Sequence, residues 1–88
     1  MANIASSASA VPLLAANTAR IGAIVSNNST AILYIGLGFN PTAANFTAAL
    51  AGTGAGAPAS WPVPFGFTGA LNGIWSMANG NATANELT

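Results

Sequence analysis

Lysine, aspartate, histidine and cysteine do not occur in this chain of 88 residues, and Arg20 and Glu86 are its only charged side chains. Without cysteine there is no disulfide brace, and the redox compartment is left open. Without histidine or thiolate, and with one carboxylate, neither a zinc site nor a calcium cage can be assembled. General acid–base catalysis needs a positioned titratable group, usually in a pair. A serine nucleophile needs histidine or lysine beside it. No enzyme activity, cofactor or metal is therefore expected. Phosphate backbones are held by several Lys or Arg, and this chain offers one, so nucleic acid is not an expected partner. The longest apolar stretch, 21–39, is broken by Ser26-Asn27-Asn28-Ser29-Thr30 and is no membrane-spanning helix. The start, Met1-Ala2-Asn3-Ile4, has no positive region of the kind that opens a secretory leader, so none is expected.

What remains is a chain with 2% charged and 52% hydrophobic residues and zero formal net charge. Soluble domains carry about a quarter charged residues and depend on them to stay dispersed. An exterior this neutral fits either a membrane or a cover of other protein. With no membrane helix in view, self-association and burial against a partner are expected. The apolar fraction also overstates the core, because 21 residues are alanine. A buried methylene contributes about 0.8 kcal/mol, and short chains bury a smaller share of their surface than long ones. Association would offset that thin core.

The organisation is that of a single all-β unit. Residues 1–19 read as an extended arm with an edge strand at Val11-Pro12-Leu13-Leu14, and 20–88 as one β domain. Arg20–Val25 and Ala31–Leu37 are rich in β-branched and large apolar residues and read as strands. Asn27-Asn28-Ser29-Thr30 between them predicts a β-hairpin. In the second strand Leu33, Ile35 and Leu37 share one face and Ile32, Tyr34 and Gly36 the other, so one face meets the core and one a partner or second layer. Pro41–Leu50 reads as a turn followed by a strand. Residues 51–58 form a Gly/Ala loop without the lysine or the strand–helix frame of a phosphate loop. Ala59–Phe65, with Pro62 and Pro64, reads as an edge strand, and Gly73–Met77 and Ala82–Leu87 as strands joined by a second hairpin at Ala78-Asn79-Gly80-Asn81. Short strands with polar turns point to a small β-sandwich or a jelly-roll-like barrel.

Asn27, Asn28, Asn45 and Asn81 each fit the glycosylation pattern and read more simply as turn residues. Trp61, Phe65, Phe67 and Trp75 suit a core or interface anchors better than a sugar platform, which normally adds polar or charged groups near the rings. The interface candidates are Leu33, Ile35, Leu37, Trp61, Phe65 and Trp75. Two lone opposite charges are costly when buried apart, so Arg20 and Glu86 are expected to meet.

The order of these landmarks resembles a pattern in short bacteriophage virion proteins. It comprises Arg20, the turn Asn27-Asn28-Ser29-Thr30, then Leu33-Tyr34-Ile35-Gly36-Leu37-Gly38. Trp61-Pro62-Val63-Pro64, Thr68-Gly69, Gly73-Ile74-Trp75, Gly80 and Glu86 follow. Residues 1–19 and the loop around Gly54 fall outside it. The resemblance is to capsid decoration or cement proteins and implies a β-rich, non-enzymatic homotrimer. Its expected partners are further copies of itself and the major capsid protein, and its expected place is the outer capsid surface. A tail, spike or head-fibre accessory protein and a surface sugar-binding module are the alternatives.

Overall fold

A computed structural model describes residues 2–52, 59–78 and 80–88. They form eight strands: β1 (Ala2–Ala5), β2 (Val11–Leu14), β3 (Gly22–Asn27), β4 (Leu33–Leu37), β5 (Ala48–Leu50), β6 (Ala59–Val63), β7 (Leu71–Trp75) and β8 (Asn81–Leu87). There is no helix among the described residues. One sheet has the order β1-β8-β3-β6 and the other β2-β7-β4-β5, with every pairing antiparallel. The fold is therefore all-β, two antiparallel sheets packed face to face.

The pairing has a simple rule. β1 lies beside β8, β2 beside β7, β3 beside β6 and β4 beside β5. The chain thus runs as one long hairpin, reversed between β4 and β5, and is then rolled so that β8 also joins β3 and β7 joins β4. Consecutive strands change sheet at every step except β4 to β5.

That topology corrects both expected hairpins. β3 and β4 belong to different sheets, as do β7 and β8, so 28–32 form an arch that carries the chain across the core, and β7 and β8 are not a hairpin. The buried Asn27 shows why the first does not close as a hairpin. Its Nδ2 donates to the carbonyls of Ala31 (2.8 Å), Ala51 (3.1 Å) and Leu50 (3.2 Å). Its Oδ1 accepts from the Ser29 hydroxyl (2.9 Å), the Ser29 amide (3.1 Å) and the Trp75 indole N–H (3.2 Å). A side chain turned inward supplies the partners that ladder bonds would supply in a hairpin, as buried backbone groups require.

The N-terminal segment, expected as an extended arm, is held against the domain. Ala2–Ala5 pairs with Asn81–Ala84 as an edge of the first sheet, and Val11–Leu14 is the edge strand expected there. The proline-bearing β6 likewise sits on an edge. The Gly/Ala loop expected at 51–58 lies, beyond Gly52, outside the described residues, as does Asn79 of the second turn.

Strand alternation builds the core. Ala23, Val25, Val63, Ala82 and Ala84 face inward from the first sheet, and Leu33, Ile35, Leu71 and Trp75 from the second. Alanine at two inner positions of β8 keeps this interior small.

Candidate interaction surface

Arg20 lies in the connection from β2 to β3, at one end of the sandwich, with its side chain fully buried. Its Nε donates to Glu86 Oε1 at 2.7 Å. Nη2 donates to the Ala15 carbonyl at 2.6 Å, and Nη1 to the carbonyls of Gly69 (2.8 Å) and Phe67 (3.2 Å). The guanidinium fork thereby ties together the end of β2, the β6–β7 loop and the last strand. Asn17 adds an amide contact to the same carboxylate oxygen at 3.5 Å. The two charged side chains of the protein are spent on each other and on backbone carbonyls.

The exterior is consequently built from neutral groups. On the outer face of the first sheet the Asn81 amide donates to Asn3 Oδ1 at 2.7 Å, and the hydroxyls of Ser26 and Ser60 lie 3.1 Å apart. Towards the Arg20 end, that face turns apolar. Ile24 and Leu87 stand out from β3 and β8, Pro62 sits opposite Ile24, and Phe65 follows β6. Phe65 is 86% exposed, the most exposed large hydrophobic residue among the described residues. Its ring and Leu87 flank Gly22: a Cβ added there would sit 2.9 Å from Phe65 Cε1 and 3.7 Å from Leu87 Cδ1. Ile21, also exposed, holds the same corner through its backbone, donating to the Leu87 carbonyl (2.8 Å) and accepting from the Gly66 amide (3.4 Å).

The outer face of the second sheet carries a weaker apolar row. Tyr34 lies opposite Ile74, and the Phe46 ring packs on Tyr34 with centroids 5.0 Å apart. Ile32 and Met77 are exposed at its end.

Of the six interface candidates, the structure withdraws three. Leu33, Ile35 and Trp75 point between the sheets, completely or almost completely buried. The alternation in β4 is apolar on both faces, and it is Tyr34, with a hydroxyl to hydrate, that faces out. Leu37 and Trp61 are half-buried and pack on the core. Phe65 alone of the six is exposed. Ile21, Ile24 and Leu87 belong to the same surface and were not singled out by sequence. Ile24 carried a signal, since it alternates with the smaller Ala23 and Val25 along β3.

Asn27 is buried and fully engaged, so its glycosylation pattern has no accessible acceptor. Among the described residues there is no cavity and no group of three metal-ligating side chains. The outer faces can bury apolar area and exchange neutral hydrogen bonds. Compared with known protein families, curated proteins and solved structures, the chain matches none.

Proposed function

We propose that this protein is a non-enzymatic structural component of a virion, which associates with itself, as a trimer, on a phage capsid and stabilises the shell by bridging capsid subunits. The observation that carries this reading is the internal Arg20–Glu86 pair. With it, a chain already almost free of charge presents no unpaired charged side chain at all, and it exposes Phe65, Ile24 and Leu87 together. Such a surface is suited to being covered by protein rather than to dispersing a monomer.

The strand order supports the reading at the level of fold. A long hairpin rolled into two four-stranded sheets is jelly-roll connectivity, which viral capsid domains and lectins share. Fold by itself does not assign function, so the weight rests on the surface and on the resemblance over residues 20–87. The lectin use of this architecture is disfavoured here, because Trp75 is buried and Trp61 half-buried against the core.

Electron microscopy of purified particles that carry the protein tests the proposal. Density for it at junctions between capsid subunits is expected. Density confined to the tail would move it to the accessory-protein class, and absence from the particle would reject the virion role.

A further inference from the structure

We infer that a second copy of this chain packs on the patch formed by Phe65, Leu87, Ile24 and Pro62. The inference deepens the self-association in the function proposed above and rests on that part of it alone.

The patch is built to hold the backbone of its aromatic residue in place. Phe65 occupies the second position of a turn closed by the Phe67 amide on the Pro64 carbonyl at 3.2 Å. Gly66, the third residue, has φ +83°, the left-handed value that a type II turn requires and glycine supplies. The Gly66 amide reaches the Ile21 carbonyl, and the buried Arg20 holds the carbonyls of Phe67 and Gly69 just beyond. Gly22, lacking a side chain, lets the ring lie over β3. The loop is therefore pinned on both sides of an aromatic side chain that is itself almost wholly in water. Pre-organised, exposed aromatic anchors of this kind dominate binding at interfaces, because little ordering remains to be done on contact.

Charge complementarity identifies the occupant. Every residue of the patch is apolar, and the neighbouring Asn85 is neutral. A partner with an ordinary surface, about a quarter charged, would bring charges that lose water and find no counter-ion here. Another copy of this chain brings no charged side chain except an ion pair already satisfied internally. The second-sheet row is the poorer site. Phe46 is 40% exposed and already packed in a tilted pair against Tyr34, whose hydroxyl would have to be desolvated.

The test is sedimentation equilibrium on the full chain across a concentration series, with Phe65→Glu and Phe46→Glu alongside. The wild type is expected to self-associate, Phe65→Glu to weaken association at least tenfold, and Phe46→Glu to change it less than twofold. Circular dichroism checks that each variant keeps the β fold, and Phe65→Ala, with the same expectation, replaces the glutamate variant should that one fail to fold. A monomeric wild type, a Phe65 variant that associates normally, or loss of association in Phe46→Glu instead would each overturn the inference. Capsid binding is read separately by microscopy. A wild type that is monomeric in solution but seated on capsid through Phe65 would give the patch to the capsid protein, overturning self-packing while leaving the virion role intact. Self-association through Phe65 by a protein absent from particles would do the reverse.

Discussion

Arg20 and Glu86, 66 positions apart in sequence, meet at 2.7 Å where the end of β2, the β6–β7 loop and β8 converge. The pair does not decorate the surface; it closes one end of the sandwich and fixes the loop that presents Phe65. Removing one partner of a buried pair typically costs roughly 3–5 kcal/mol, since the other charge stays behind without compensation. Here Arg20 is fully buried but the Glu86 side chain is 26% exposed, so water offsets part of that cost. Glu86→Gln is expected at the lower end, because the Arg20 fork keeps its three carbonyl acceptors. Arg20→Lys should lose most of the same stability, as a compact ammonium cannot reproduce a planar fork with acceptors on several sides. Urea denaturation reads both, and unshifted midpoints would show that the pair contributes nothing.

Asn27 is the second polar keystone. Asn27→Ala would leave the indole N–H of Trp75 and the carbonyl of Leu50 without this partner inside the sandwich, while the Ala31 carbonyl keeps the Ser29 hydroxyl and the Ala51 carbonyl lies nearer solvent. Each buried unsatisfied group costs about 1–3 kcal/mol, so a loss of about 3 kcal/mol or more is expected. Asn27→Asp keeps the shape but replaces the amide donor with acceptors facing three carbonyls, and should be at least as damaging. Thermal unfolding followed by Trp75 fluorescence in a Trp61→Phe background measures this. A melting temperature equal to that of the background would mean that water or neighbouring groups replace the amide at no cost.

Strand-forming segments were legible in the sequence because β3, β4 and β7 concentrate Ile, Val, Leu and Trp between polar turns. The crossings were not. Asn, Ser and Gly make a hairpin and an arch equally well, and only the inward turn of Asn27 decides between them. The Arg20–Glu86 contact was readable because two lone charges in a thin core have no other charged partner. Ala2–Ala5 was not recognisable as a strand, since so short and small a segment gains its order from pairing with β8 rather than from its own pattern. The proposed binding surface was half legible. Aromatic and branched residues default to the interior, so sequence alone could not separate the buried Leu33, Ile35 and Trp75 from the exposed Phe65. That separation depends on which face of each strand the sandwich encloses.

Gly22→Ala distinguishes stability from surface shape. The added methyl group would press on the Phe65 ring, whose outer side is in water and free to yield. Stability should therefore change by no more than about 1 kcal/mol, the usual scale for Gly→Ala at a tolerated backbone position. Self-association should nevertheless weaken severalfold, because the ring moves off its seat over β3. Parallel denaturation and sedimentation measurements decide the matter, and loss of association only in proportion to lost fold would remove the special role given to the ring's position.

Attachment to a particle should respond to solvent in a manner set by the missing charges. Added salt screens contacts between ions beyond a Debye length of about 10 Å at 0.1 M and about 3 Å at 1 M. This chain has only one internal pair to screen, and its proposed binding surface is apolar and neutral. Urea, in contrast, weakens apolar burial directly by solvating the exposed groups. Particles washed across that salt range should keep the protein, and moderate urea should strip it before the capsid itself opens. Quantifying the protein left on sedimented particles tests this. Release by salt alone would mean that ionic contacts hold it, which the side chains described here cannot supply, and the proposed mode of attachment would fall.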